Sequence, residues 1–463
     1  VNPVTPIYNE DGTYNLDAYY NPVALNDVGR GDIRRQKFTS LNVNPYVSLD
    51  LSNGFYWKTS LGYSMIDMNE YQFWSLLSPQ GVQYNGLGQK YNETRKNITI
   101  TNTLNWLHTF NNVHNVNILL GQEAIKNSYY HEYYAASNFA LEGYRDMISA
   151  AEYQGAEDLR KEKRLNSFFM NAEYDYMNKY YASASLRRDG ASTFGVDNRW
   201  GTFWSIGGKW RISEEPFMEN VNKYLSNLAL RTSYGSVGNS ETTDWYAAKG
   251  FYKFGYNYNS QPGMRPMSVD NRDLGWEGKY KFDVGFDALL FDRVNITFDY
   301  FDERTKDMLF SVPVSMTTGL KDYMKNIGEM KNSGIELGIN ANVFQNRDWN
   351  ITLYANMTAS KNKMTKTPNG EDVVPSTVTI TQVNRSNYAV IRQGYSFNSF
   401  YLREWAGVDP ETGKPLWYKK DGTTTSVYNE AERRIVGNAG PNIYGGFGLN
   451  VAYKGFDLGA DFT

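Results

Sequence analysis

The chain has 463 residues, of which 41% are hydrophobic, with a mean hydropathy of −0.59 and a formal net charge of −3. No run approaches the roughly 18 apolar residues that a membrane helix needs, and no basic stripe suits a nucleic-acid partner. The absence of cysteine excludes disulfides, thiolate metal sites and thiol nucleophiles. The length allows two to four ordinary domains or one large all-β unit.

Alternation of apolar and polar residues then recurs along the chain. Phe55, Trp57, Thr59, Leu61, Tyr63 and Met65 alternate with Tyr56, Lys58, Ser60, Gly62 and Ser64, and Ile98, Ile100, Leu104, Trp106 and Phe110 alternate with Thr99, Thr101, Thr103 and Asn105. The run Glu157 to Arg164 mixes signs and reads as a solvated loop. From Tyr174 to Phe217 a hairpin follows: Tyr180, Ala182, Ala184 and Leu186 oppose Tyr181, Ser183, Ser185 and Arg187. On its return Trp204, Ile206, Gly208, Trp210 and Ile212 oppose Ser205, Gly207, Lys209 and Arg211. Further strands are expected at Phe282 to Leu290, Val294 to Tyr300, Ile335 to Val343 and Trp349 to Met357. From Lys363 to Pro441 the pattern weakens, and strands are placed at Ser376 to Gln382 and Ala389 to Leu402.

The connections alternate between short and long. Tight turns are expected at Ser52-Asn53-Gly54, Asn111 to Asn115, Met177-Asn178-Lys179, Phe291-Asp292-Arg293, Phe344 to Asp348 and Lys454-Gly455. Long polar connections are expected at Asp67 to Lys96, His131 to Lys163, Asp189 to Asn198, Ser236 to Glu277 and Leu309 to Asn332. The stretch Ser213 to Asn227 is a longer turn on the short side, with a helical start at Glu214-Glu215-Pro216. One apolar face, one wetted face and this asymmetry describe an antiparallel transmembrane β-barrel. A soluble sandwich or propeller shares the alternation but favours shorter strands on a shared core.

Several strings resemble the barrel of SusC/RagA-type TonB-dependent outer-membrane transporters. They are Tyr174-Asp175-Tyr176, Ser185 to Gly190, Phe194-Gly195, Asn198-Arg199-Trp200-Gly201, Trp210 to Phe217, Leu230 to Gly235 with Gly238-Asn239, Asn326 to Met330 with Asn332 to Glu336, Gly407 to Gly413, and Gly437-Asn438 through Leu458. The resemblance implies an outer-membrane barrel of about 22 strands, with an N-terminal plug and energy from TonB. It also implies a SusD-like surface lipoprotein, oligosaccharide or peptide cargo, and a setting of lipid bilayer and lipopolysaccharide. About 15 strands are counted here, so residues 1–463 are expected to be part of a single barrel domain whose plug and C-terminal strands lie outside the chain. Nothing at Val1 resembles a signal peptide, so the start reads as processed or internal.

No catalytic, metal or cofactor-binding residue is expected. His108 and His114 flank a tight turn, and His131-Glu132 lacks the second histidine of a zinc-protease helix. Ser236-Val237-Gly238 and Gly445-Gly446-Phe447-Gly448 do not sit between strand and helix as nucleophile or phosphate loops must. The acidic pairs Asp283 with Asp287 and Asp299 with Glu303 share one strand face and read as polar lining rather than glycosidase carboxylates. Asp409 to Gly413 reads as a β-turn rather than a calcium loop. The candidate contacts for cargo or lid are loop aromatics: Trp74, Tyr84, Tyr129, Tyr130, Tyr133, Tyr134 and Tyr144, then Trp245, Tyr246, Tyr252, Tyr256 and Tyr258. The function expected is TonB-dependent import. The alternatives are a passive porin or structural barrel, and a secreted glycan-binding β-protein.

Overall fold

The computed structural model describes residues 5–16, 21–141, 143–241, 244–320, 322–373, 379–380, 383–384, 388–397 and 399–463. Two compact units divide the chain, one drawing on Val1–Leu49, Trp57–Thr103 and Gln122–Asn166, the other on Asp50–Tyr56, Leu104–Gly121 and Ser167–Thr463.

The first unit carries β1 (Ile33–Val43), β2 (Tyr46–Asp50) and most of β3 (Phe55–Trp74), with the loop-side lengths of β4 (Leu87–Phe110), β5 (His114–Phe139) and β6 (Ala150–Tyr176). Their order is β1-β3-β4-β5-β6, and β2 also pairs β3. Ile33 opposes Phe73 and Val43 opposes Tyr63. Pro45, which has no N–H to give a ladder, separates β1 from β2 while its carbonyl accepts from Leu61 N.

The second unit continues with β7 (Tyr180–Ala191), β8 (Trp200–Arg211), β9 (Leu225–Asn239), the small hairpin β10 (Tyr252–Phe254) and β11 (Met264–Pro266), β12 (Glu277–Leu290), β13 (Val294–Pro313), β14 (Asp322–Gln345) and β15 (Trp349–Lys366). Short strands follow: β16 (Thr379–Ile380), β17 (Val383–Asn384), β18 (Ala389–Val390), β19 (Ser399–Arg403), β20 (Trp405–Val408), β21 (Pro415–Tyr418), β22 (Thr424–Thr425) and β23 (Arg433–Asn438). Then β24 (Ile443–Tyr453) and β25 (Phe456–Phe462) return to the large sheet. The order there is β7-β8-β9-β12-β13-β14-β15-β24-β25, all antiparallel neighbours.

The expected tight turns are present. Asn111-Asn112, Met177-Asn178, Phe291-Asp292 and Lys454-Gly455 each have positive φ at both residues, the primed geometry whose twist matches the flanking strands. Asp409 to Gly413 is a turn between β20 and β21, with the Asp409 carboxylate accepting from Glu411 N at 2.9 Å and Thr412 N at 3.3 Å. The stretch from Ile212 to Met218 forms two short 3-10 turns.

Other expectations need correction. The long connections are shorter than the alternation implied, because the strands run on: β3 reaches Trp74, β5 reaches Phe139, β6 begins at Ala150 and includes the Glu157 to Arg164 run, and β13 and β14 extend to Pro313 and from Asp322. In these extensions polar residues occupy both faces, so the period-2 signal fades. Ala389 to Leu402 is not one strand but the pair β18 and β19 around a bend with Gly394 at φ 91°. Most of Ser376 to Gln382 lies outside the described residues; Thr379–Ile380 pairs with Val383–Asn384.

Few large apolar side chains are buried, and those few sit at strand ends and loops, such as Phe194, Leu274, Met364 and Val390. Mid-strand Ile206, Leu353, Phe447 and Leu458 are instead 56%, 44%, 61% and 65% exposed. In water each would forgo about 1.5–3 kcal/mol of burial. Lipid against that face removes the penalty.

Candidate functional site

The two faces of the second unit separate by register. On one, Tyr180, Trp210, Leu230, Phe286, Phe298, Leu337 and Met357 oppose one another across seven strands. On the other, Tyr181, Lys209, Arg231, Gly285, Asp299, Glu336 and Thr358 do the same. Along β13 the apolar face runs Val294, Ile296, Phe298 and Tyr300 before Asp302 and Arg304. At about 3.4 Å per residue and a tilt near 40°, each residue climbs about 2.6 Å. The eight steps from Val294 to Asp302, the first charged position on that face, thus climb about 21 Å, close to the roughly 25 Å apolar band of an outer-membrane barrel.

The polar face holds a concavity of about 570 Å³, whose lining includes Asn115, Asn117, Glu173, Asp175, Tyr181, Ser183, Lys209, Arg231, Ser233 and Asp283. Arg231 anchors its charge pattern. Its Nε donates to Asp287 Oδ2 at 2.8 Å and its Nη2 to Asp299 Oδ2 at 3.2 Å. Gly285 stands in register between Arg231 and Asp299. A Cβ there would lie 2.0 Å from Asp299 Oδ1, so glycine is what lets the guanidinium cross the intervening strand. Glu303 accepts from Lys279 at 2.5 Å and lies 3.6 Å from Lys281. The carboxylates of both acidic pairs are thereby paired with cations apart from Asp283, which lines the concavity. Such a wall offers donors and acceptors to a polar solute; it presents no nucleophile beside a base.

The histidines serve packing. His108 lies between Trp106 and Phe110, with ring centroids 5.7 Å and 4.3 Å away, and His114 Nδ1 lies 2.8 Å from Tyr174 Oη. Ser236 Oγ accepts from Trp204 N at 3.2 Å.

At the loop end, Asp189 to Asn198 docks on the segment before β12. Phe194 is 1% exposed against Trp276, Gly195 N donates to Leu274 O at 2.9 Å, and Asn198 Nδ2 donates to Asp273 O at 2.7 Å. Trp276 Nε1 donates to Arg199 O at 2.9 Å. Asn326 completes the block, accepting from Gly275 N at 2.8 Å and donating to Gly275 O at 2.9 Å. The strings around Asp189, Phe194, Asn198 and Asn326 thus fasten a loop. Below the band, Glu215 accepts from Trp210 Nε1 at 3.0 Å, Lys179 Nζ at 3.2 Å and Tyr180 Oη, and these bonds hold its carboxyl below the usual range, Tyr180 contributing most.

The aromatic candidates fall into two sets. In the first unit, Tyr129, Tyr130, Tyr133 and Tyr134 lie within β5 rather than in a loop, and Trp74 ends β3. Tyr130 receives Arg160 over its ring at 4.9 Å, Tyr134 Oη accepts from Asn92 at 3.2 Å, Tyr129 Oη donates to Glu93 at 3.1 Å, and Tyr133 packs on Tyr91 at 4.8 Å. Adjacent strand residues face opposite ways, so Tyr130 and Tyr134 share a face that Tyr133 does not. Tyr84 and Tyr144 are exposed in connections. In the second unit, Tyr252 and Tyr256 are exposed on the β10–β11 hairpin, Tyr258 is 85% exposed, Arg265 lies 4.5 Å over Tyr256, and Trp245 is half-buried near Tyr246 in sequence. The Arg231 triad was missed as a unit by sequence reasoning, since its members lie 56 and 68 residues apart.

Residues 2–462 match the family described as TonB dependent receptor-like, beta-barrel. The chain is similar to TonB-dependent receptor P3 of Formosa agariphila, 28% identical over 99% of this chain and 48% of that protein. It is also similar to TonB-dependent receptor SusC of Bacteroides thetaiotaomicron, 31% identical over 64% of this chain and 30% of that protein. The RagAB peptide transporter structure superposes with a TM-score of 0.81 at 27% identity, covering 93% of this chain and 48% of that one. The chain spans about half the length of P3 and of the RagAB chain.

Proposed function

Because this chain belongs to the TonB-dependent receptor-like β-barrel family and so to the outer membrane, we propose that it is part of the barrel of an active importer of oligosaccharides or peptides. Residues 1–463 then form part of a single barrel domain, with the plug and the remaining strands elsewhere in the protein. The carrying observation is the separation of faces: an apolar band about 21 Å high backs a concave wall bearing Asn117, Glu173, Lys209, Arg231 and Asp283. TonB would supply energy, and a SusD-like lipoprotein would cover the loop end. The similarity to a peptide transporter supports the peptide half of the cargo reading. Loop-end aromatics, among them Tyr252 and Tyr256, would stack on cargo or lid.

The test is uptake of labelled peptide and oligosaccharide pools by cells carrying the full-length gene, with and without TonB. Import of one pool that ceases without TonB is expected. Equal uptake in both strains would identify a passive pore instead.

A further inference from the structure

The connection between β9 and β12 carries a hairpin of one-sided composition. From Trp245 to Val269 there is no Asp or Glu, while Lys249, Lys253 and Arg265 supply three cations. The base is fixed: Met267 N donates to Phe251 O at 2.7 Å, Asn271 N to Ala248 O at 3.0 Å and Asn271 Nδ2 to Met324 O at 2.7 Å. Above it β10 and β11 pair, with Lys253 opposite Arg265, Tyr252 opposite Pro266 and Phe254 opposite Met264. Alternation therefore gives the ribbon one cationic and one apolar face. Neither is covered: Tyr252, Phe254 and Met264 are 60%, 74% and 60% exposed, and Lys253 and Arg265 are exposed as well.

Two features leave this ribbon incomplete. Like charges directly opposite one another weaken a strand pair, yet no ion pair joins Lys253 or Arg265 to a carboxylate among the described residues. The ladder also stops at two strands. Because Met267 and Phe251 bond inward, alternation turns the backbone groups of Lys253 and Arg265 inward and those of Tyr252 and Phe254 outward. On β11 the outer edge is blunted by Pro266, which has no N–H. On β10 the outward groups of Tyr252 and Phe254 have no backbone partner among the described residues.

We propose that an extended acidic peptide adds to β10 as a third strand. Its backbone continues the ladder, as strand addition does at other exposed sheet edges. Side chains alternate along such a strand, so carboxylates at every second position lie beside Lys253, with Arg265 one strand further on, while apolar side chains lie beside Tyr252 and Phe254. The free edge favours a peptide over an anionic glycan, which has no repeating N–H and C=O groups at strand spacing to meet it. The inference rests on the importer reading and narrows its cargo to peptides that alternate acidic and apolar residues.

The test is binding of short fluorescent peptides that alternate Glu and Val to the full-length protein in mild detergent, read by anisotropy. The Glu peptide should bind at least about tenfold tighter than its Lys counterpart, and K253Q should weaken it about threefold. Methylating alternate backbone nitrogens of the peptide should cost about tenfold in one of the two alternating sets and little in the other, because an added strand pairs along one edge. These changes in the peptide leave the folding of the protein untouched. F254P, which removes an outward N–H at an edge that tolerates proline, should also weaken binding. Equal affinity for the Glu and Lys peptides would overturn the inference, as would equal loss from both methylated sets or displacement by an equally charged oligouronate at equal concentration. Binding is read without TonB and so stands apart from transport. A protein that imports peptides with TonB yet does not bind the Glu peptide overturns this inference alone; one that binds it but imports nothing overturns the importer reading.

Discussion

Leu337→Arg probes the assignment of faces. Leu337 opposes Phe298 and Met357 on the apolar face. Phe298 lies four residues above Val294, the first residue after the tight turn, so the row sits about 10 Å into a band about 21 Å high, near its middle. An arginine at that depth on the lipid face costs about 3 kcal/mol, a shift of more than a hundredfold in the folding equilibrium. Asn340→Arg is the counterpart: Asn340 is exposed on the polar face of the same strand, where an added cation should cost below about 1 kcal/mol. The assay is urea unfolding of the full-length protein in lipid vesicles, followed by heat-dependent gel mobility and tryptophan fluorescence. Equal costs for the two variants, or a larger one for Asn340→Arg, would refute the assignment.

Gly285→Ala should separate Arg231 from Asp299 and destabilise by about 2 kcal/mol, and its cost combined with that of Arg231→Ala should fall short of the sum in a double-mutant cycle, because the Asp299 contact is lost only once while the Asp287 pair is lost with the arginine. Gly195→Val places atoms where a Cβ already lies 1.9 Å from Arg272 O; the loop should undock, with faster proteolysis near Phe194 and an unchanged barrel unfolding midpoint. Glu215 ionises more readily in the folded chain than unfolded. Its contribution is therefore present above about pH 4.3 and fades as pH falls through the lowered folded value. The difference in unfolding midpoint between wild type and Glu215→Gln should be constant from pH 8 to 6 and shrink below pH 4; a difference that grows on acidification would contradict the linkage.

Much of the architecture was legible because a strand between lipid and water must alternate, and β7 with β8 shows this at nearly every position. The primed turns were legible too, since Asn-Asn, Asp and Lys-Gly tolerate positive φ. Legibility failed where that constraint lapses. The outer halves of β5 and β6 carry polar residues on both faces, so Tyr130 to Tyr134 and Glu157 to Arg164 read as loop although they extend a ladder. Near β18, Ile391 joins Phe310 and Met364 in a local buried cluster. Contacts between residues so distant in sequence leave no short-range period.

By itself, then, the sequence determined that strands cross a membrane, where they reverse at the tight turns, and to which family their order belongs. Only the tertiary structure decided which polar residues meet. Arg231 reaches Asp287 and Asp299 because three strands come into register around Gly285, and Lys253 faces Arg265 because β10 pairs with β11. Period sets the face a residue takes; register, set by hydrogen bonds between paired strands, sets its neighbours.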